Sequence, residues 1–335
     1  MKKIILSLLI LCSILSSCNK IPEDKFQWEA GISAPKYYPI GGVKVNLEYA
    51  GYSSLTNLDN GWGYNYGGIV SGEKYKDLPK KATIEYVSAI DNLVYKGTIA
   101  LPYNKILGLF KKYCKDKEND SAVLIVGMAP GGWIRVWFQS LNVLDENHII
   151  EVAKAQIKGE KDLTLNPEFI NKTEPYWDKY KTYWQHLGIP LEAWEENEKK
   201  YNLYLNLSKP NPEYNITSQY NSLDGTSYFG NWKDDNKMVG KLPADLILGW
   251  ISKTDTISYD THVLMPKNFT KFVENKKTKK VEIVLEIENN EQFGILYLIT
   301  NNKKEKILRF KNLVSTSNKA VGDSNFSNQV EYFIK

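Results

Sequence analysis

Few residues in this chain are placed to do chemistry. Its three histidines, His148, His186 and His262, are far apart, and none stands at metal-ligand spacing to another histidine or to a cysteine. No G-x-S-x-G, H-E-x-x-H, phosphate-loop or dinucleotide fingerprint occurs. Pro130-Gly131-Gly132 is not followed by the Lys-Ser/Thr that a phosphate loop needs, so it reads as a tight turn between strands. A dispersed triad or carboxylate pair would leave no trace in spacing, because such groups meet in space and not in sequence. The expectation is a protein without catalytic residues, cofactor or metal. Two groups of rings remain as binding candidates. Trp62, Tyr64 and Tyr66 share one glycine-rich loop, while Trp133 and Trp137, four apart on a strand, point to one face. Exposed, they would stack on sugar rings or anchor a partner protein; otherwise they are core.

The elements that position them are written twice. Leu78 to Asn104 and Leu242 to Asn268 align without a gap at a shift of 164, with seven identities over 27 positions. Roughly two are expected by chance at average residue usage. Ser88, Asp91 and Tyr95 recur as Ser252, Asp255 and Tyr259, which favours a structural role, since a hairpin is needed twice and an active site rarely is.

In order, Phe26 to Ala30 reads as an edge strand and Val43 to Tyr49 as a half-buried one. Ala82 to Ser88 and Leu93 to Ala100 form a hairpin at Asp91-Asn92, and Asn104 is placed to cap a helix carrying Ile106, Leu107, Phe110 and Tyr113. Strands at Ala122 to Gly127 and Trp133 to Phe138 flank the Gly-Gly turn. Asp145 to Lys158 reads as a helix. Tyr176, Tyr180, Tyr183 and Leu187 mark another; Gly188-Ile189-Pro190 breaks it before a charged helix around Trp194 to Lys200. The second unit repeats the order, with Asp224-Gly225 where the first has Asn60-Gly61, and a last hairpin around Asn289-Asn290. The tail from Ser315 to Ser327 is polar, with a final strand at Gln329 to Ile334. The expected fold is α+β: two tandem repeat units of mainly antiparallel sheet, residues 26–159 and 207–335, with an aromatic-rich helical insert at 160–206.

At 335 residues, with 13% aromatic and 24% charged residues, the chain is globular, and its net charge of +4 leaves no nucleic-acid footprint. Residues 1–17 have the form of a signal peptide: Lys2 and Lys3, an apolar run from Ile4 to Leu15, and Ser16-Ser17 before Cys18. The apolar run is too short for the roughly 20 residues that span a bilayer. Leu15 to Cys18, LSSC, resembles a bacterial lipobox, which implies cleavage before Cys18, lipid on its sulfur and amino group, and residues 18–25 as a tether. The expected location is the cell envelope, on the periplasmic or surface face; Asn19 favours the outer membrane. Cys12 leaves with the signal, so Cys114 has no partner for a disulfide and is expected to be buried.

FQW at Phe26, YYP at Tyr37, GWG at Gly61, LP at Leu78 and Leu101, and APGGWIRVW from Ala129 to Trp137 resemble a family of bacterial lipoproteins known as domain of unknown function 2931. The G-I-P-x3-W element at Gly188 to Trp194 belongs to the same resemblance, whereas the second unit lacks GWG and has Asn-Asn-Glu-Gln-Phe for Pro-Gly-Gly-Trp. The resemblance implies no activity; some members look like immunity partners of secreted antibacterial toxins. The expectation is a membrane-anchored, non-enzymatic protein-binding lipoprotein, with an immunity role as its sharpest form. The alternative is a carbohydrate- or cell-wall-binding lipoprotein using the same rings.

Overall fold

The computed structural model describes residues 21–67, 73–142, 149–165, 167–208, 214–232, 237–252, 257–315 and 325–334. The signal segment and Cys18 lie outside them. The protein is mostly β-sheet, 47% strand and 14% helix. The chain begins β1 (Phe26–Ser33), β2 (Ile40–Asn46), β3 (Gly51–Ser54), β4 (Tyr75–Lys76), β5 (Lys81–Ser88) and β6 (Leu93–Ala100). Helix α1 (Tyr103–Tyr113) leads to β7 (Ala122–Met128), β8 (Trp133–Ser140), β9 (Ile149–Gln156) and β10 (Gly159–Glu160). Three helices follow, α2 (Pro167–Asn171), α3 (Trp177–Leu187) and α4 (Leu191–Glu195). Next come β11 (Tyr201–Leu207), β12 (Thr217–Ser222), β13 (Ser227–Asn231), β14 (Lys237–Gly240), β15 (Pro243–Ile251) and β16 (Ser258–Leu264). Helix α5 (Phe269–Glu274) precedes β17 (Lys280–Ile287), β18 (Phe293–Thr300), β19 (Lys303–Lys311) and β20 (Val330–Tyr332).

Four sheets result. Sheet I has the order β4-β1-β7-β8-β9 and sheet II β10-β6-β5-β2-β3; sheet III has β14-β11-β17-β18-β19-β20 and sheet IV β13-β12-β15-β16. Pairing is antiparallel except for β1 with β7 and β11 with β17, which are parallel. Parallel neighbours need a long crossover and leave no hairpin signal, so the sequence hides them.

Burial follows from the stacking. In β5, KATIEYVS, Ala82, Ile84 and Tyr86 point inward and alternate with more exposed residues. All of β7, AVLIVGM, is buried. Its Leu124 and Val126 join a core shared with sheet II, while Val123 and Ile125 join a second, aromatic cluster on the other side. Sheet I is therefore covered on both faces, which is why its central strand is continuously apolar. Phe110 of α1 sits in the first core, 5.1 Å from Phe26 and 5.0 Å from Phe138 between ring centroids. A separate core lies between sheets III and IV and takes Phe269 and Val273 of α5. The aromatic cluster joins Tyr37, Tyr38, Trp62 and Trp137 to Trp177, Tyr180 and Tyr183 of α3, Trp194 of α4 and Leu264 of β16.

Four local expectations are corrected. Within Asp145 to Lys158 the described part forms strand β9, not a helix, and pairs antiparallel with β8. Its β-branched Ile149, Ile150 and Val152 suit a strand, and β8 offers a free edge. The strand at Phe26 is not at an edge, since β1 has β4 on one side and β7 on the other. Pro102, not Asn104, occupies the cap of α1, with no side-chain cap bond. The charged helix stops at Glu195, and Tyr201–Leu207 is strand β11, drawn into sheet III by its pairing with β17. The hairpins β5–β6 and β17–β18, helix α1 and the break at Gly188 stand as read. Cys114 is buried, and burial pushes its thiol up to about 12. Residues 316–324 of the polar tail lie outside the described residues.

Candidate binding cavity between the sheets

The GWG loop is built by its neighbours' backbone needs. Asn60 accepts from the Ala34 N–H at 3.0 Å and donates to the Tyr64 carbonyl at 2.5 Å. Ser33 donates to the Gly61 carbonyl at 2.9 Å and accepts from the Gly63 N–H at 2.8 Å. The loop sets Trp62 edge-on against Trp137, with ring centroids 5.1 Å apart and planes at 89°. Both rings lie over Gly127 of β7, where a Cβ would come within 2.4 Å of Trp137 and 2.9 Å of Trp62. That glycine is required for the ring pair to seat. Trp62 is 3% exposed and Trp137 8%, so neither offers an open face.

A turn from the second half plugs into this loop. Gly225 accepts at its carbonyl from the Trp62 N–H at 2.8 Å and the Lys36 N–H at 3.1 Å. The preceding carbonyl, of Asp224, accepts from the Trp194 indole at 3.0 Å. Between these contacts lies a cavity of about 470 Å³, within the usual range for ligand sites. The first half lines it with Trp62, Tyr64, Trp137 and Glu151; the second with Tyr228 and Lys241; the segment between them with Asn197, Glu198 and Lys200.

Of the five rings singled out from sequence, the structure brings Trp62, Tyr64 and Trp137 together here. Tyr66 is exposed and binds the Ile32 carbonyl through its N–H, outside the cavity lining. Trp133 lies farther along β8, partly buried under the Lys154 ammonium at 5.4 Å, and is also outside the lining.

Sequence reasoning missed the charged part of the site. The buried Asp224 carboxylate is ion-paired with Lys241, whose ammonium also donates to Thr226 at 3.0 Å. Glu198, half-buried, accepts the Asp224 backbone N–H at 2.8 Å. Burial first and the Asp224 charge second push its carboxyl up to about 8, against the opposing pull of Lys241. Burial pushes the Asp224 carboxyl up, but the Lys241 ammonium and the hydrogen bonds from Ser222 and Thr226 outweigh it and hold it below its usual range. Across the cavity Glu151 takes a 2.6 Å bond from the buried Arg135 guanidinium and a 2.9 Å bond from the Asn197 amide. In sequence, Glu198 stood in the run EENEKK and Asp224 in a turn dipeptide, with nothing to mark either as a site.

The histidines do not converge on this cavity. His262, fully buried, donates from Nε2 to Asp245 at 2.5 Å, and Asp245 accepts twice more from the Asn221 side chain at 2.9 and 3.1 Å. His186 reaches the Met265 carbonyl at 2.8 Å, and His148 lies outside the described residues. The recurrent Asp91 and Tyr95 fix a turn: the Tyr95 hydroxyl donates to Asp91 at 2.7 Å, and Asp91 also takes the Gly131 N–H at 3.0 Å. A larger depression of about 780 Å³ lies over the exposed face of sheet II. There Glu85 is paired with both Lys44 at 3.0 Å and Lys96 at 3.2 Å. Among the described residues no group of three or more His, Cys, Asp or Glu side chains is arranged to hold a metal ion. No helix of the described residues is long and apolar enough to cross a membrane.

No curated protein and no solved structure matches the chain significantly. A family model described as "Protein of unknown function (DUF2931)" matches residues 16–192, which takes in the GWG loop, the Gly-Gly turn, β8 and the aromatic helix α3. That span is more than half of the chain, and the protein belongs to the DUF2931 family.

Proposed function

We propose that the protein is an exported lipoprotein, anchored through Cys18 in the cell envelope, that acts by binding a partner protein and carries out no covalent chemistry of its own. The outer membrane, facing the periplasm or the surface, is the location this reading favours. The observation that carries the binding part is the cavity, which collects Trp62, Tyr64 and Trp137 beside Glu198 and Lys241 where three parts of the chain meet. Neutralisation of a secreted antibacterial toxin is its sharpest form. The carbohydrate alternative draws on the same rings, but Trp62 and Trp137 are too covered for a sugar to stack on them.

The same reading takes the halves as two copies of one unit, joined by an aromatic helical insert. Three observations support this beyond the shift of 164. β1 pairs antiparallel with β4 and parallel with β7; β11 pairs antiparallel with β14 and parallel with β17. Sheets II and IV share the order of second, first, third and fourth hairpin strands, β3-β2-β5-β6 and β13-β12-β15-β16. The cross-strand pairs Tyr86–Tyr95 and Trp250–Tyr259 stack alike, at 4.9 and 5.0 Å.

The test is capture from fractionated native cells and culture supernatant by the lipidated chain in detergent, washed in high salt. One stoichiometric protein, lost when Tyr64 is changed to Ala at the cavity, is the expected result. Enrichment of polysaccharide without protein would overturn the protein-binding reading in favour of glycans.

A further inference from the structure

Helix α1 has two unlike faces. Ile106 and Phe110 are buried in the first core, and Leu107, Leu109 and Tyr113 pack against it. At about 100° per residue, the exposed Asn104, Lys105, Gly108, Lys111 and Lys112 fall on one opposing arc, and the exposed Lys115 follows just past the helix. No acidic and no large apolar side chain lies on that arc. Nothing stands within 4 Å of a Cβ built on Gly108, so the face is open at its centre. Among the described residues, none of these four lysines has a carboxylate partner, in contrast to Lys44 and Lys96 of sheet II, which share Glu85. The acids that follow the helix serve their own loop. Asp116 accepts from the Asn119 amide at 2.8 Å and the Glu118 N–H at 3.1 Å, and Asp120 accepts the Asp116 N–H at 2.8 Å. At the other end, the exposed Lys80 extends the basic surface, its ammonium 5.5 Å from the centre of the Tyr103 ring.

The chain enters the fold beside this helix. Lys117 donates to the Pro22 carbonyl at 2.5 Å and stands over the Phe26 ring at 4.6 Å, and Phe26 packs on Phe110 of α1. Cys18 is three residues before Ile21, and three residues reach at most about 11 Å. A lipid on Cys18 therefore keeps the end of α1 close to the membrane surface. That reach compares with the roughly 8–10 Å over which exposed charges act at physiological salt.

We infer that α1 is a membrane-docking helix whose lysine face lies on the anionic phospholipid headgroups of the bilayer that the Cys18 lipid enters. This rests on the anchored-lipoprotein reading and adds which face of the protein the membrane covers. Lipid phosphates are the occupant the face fits, because it offers several ammonium groups with no carboxylate among them. A helix that sinks into the acyl region needs an apolar outer face, and α1 turns its apolar residues to the core, so it rests at headgroup level.

The test is lysine acylation by a water-soluble reagent, followed residue by residue by mass spectrometry. The lipidated chain is bound to vesicles of phosphatidylcholine, or of equal parts phosphatidylcholine and phosphatidylglycerol. Lys105, Lys111, Lys112 and Lys115 should react at least about fivefold more slowly on the anionic vesicles, the weight of one lysine at such a surface. The protection should vanish in about 1 M salt, where the screening length shrinks to about 3 Å. Lys105→Glu with Lys112→Glu should open Lys111 and Lys115 to the reagent, whereas Lys105→Arg with Lys112→Arg should leave them protected. Both pairs alter exposed side chains and leave the core alone. The inference is overturned if the four lysines react alike on the two vesicles, if protection survives high salt, or if the glutamate pair retains it. Lysines open on both vesicles and closed only by the captured partner protein would give the face to that protein instead. In each of these cases acyl groups on Cys18, seen in the same spectra, leave the anchored reading standing; a chain without them would sink both.

Discussion

Glu198 illustrates how one side chain can dominate the pH response of a large protein. The unfolded chain ionises it near the ordinary glutamate value of about 4.3. The folded chain holds the proton to about pH 8, because burial and Asp224 both penalise the charge. Between these limits the folded state carries more protons than the unfolded one. The stability that Glu198 contributes is therefore full below about pH 4.3 and is lost as pH rises through about 8. His262 and His186 act in the opposite sense: burial lowers both from 6.5, so their contribution is lost as pH falls below that value. The window from pH 6.5 to 8 therefore isolates the glutamate. Urea unfolding should show stability declining across it, by up to about 1.4 kcal/mol per pH unit, and Glu198→Gln should flatten the profile. A wild-type profile already flat in that window would show that Glu198 is ionised in the folded protein.

At the scale of elements, β8 is the strand that holds the site together, and it does so with both faces. Ile134, Val136 and Phe138 enter the core shared with sheet II, while Trp133, Arg135 and Trp137 turn to the aromatic side. Arg135 donates to the Trp194 carbonyl at 2.8 and 3.3 Å and to the Glu195 carbonyl at 3.1 Å, which caps the end of α4 with a cation. Glu195 also receives the Lys154 ammonium of β9. Removing a buried charge whose partners remain is expensive, so Arg135→Gln should cost about 3–5 kcal/mol in denaturant unfolding. Arg135→Lys should recover little, because an ammonium cannot reproduce the planar fork. Near-complete recovery with lysine would mean that charge, and not geometry, holds α4. The strand itself was legible: its alternation, the Gly-Gly turn and the aromatic spacing were all local. Its partner β9 was not, since Ile149, Val152, Ala153 and Gln156 fit a helical face in isolation, and only pairing with β8 makes them a strand. The same limit applied to the site. The rings declared themselves by type, but Glu198 became distinctive only when folding set Asp224 beside it without a second cation.

For the whole molecule, the question is what makes the two halves one cooperative body. Each has its own core, and the contact between them runs through the aromatic cluster and the Asp224-Gly225 turn. Gly225 is the tightest point of that contact. Its φ is +79°, and a Cβ there would stand 2.5 Å from the Lys36 backbone nitrogen and 2.7 Å from the Pro35 Cβ. Neither neighbour can swing away, so Gly225→Ala must push the turn out of the GWG loop. That would break the two backbone hydrogen bonds from Lys36 and Trp62 to its carbonyl. Gly188 supplies the control: its φ is +77°, yet nothing lies within 4 Å of a Cβ built on it. With ψ at −159° its backbone lies in a region open essentially to glycine alone, so Gly188→Ala should cost the backbone strain only, about 1–3 kcal/mol. Gly225→Ala should cost about 2 kcal/mol more, from the two lost hydrogen bonds. It should also split a single unfolding transition into two, because each core survives once the link between them loosens. The split, followed by tryptophan emission beside far-ultraviolet circular dichroism, is the decisive reading, since a merely strained turn would shift one transition without dividing it. Equal shifts from the two alanines, both in one step, would mean that the aromatic cluster alone couples the halves and that the turn is a passenger in the interface.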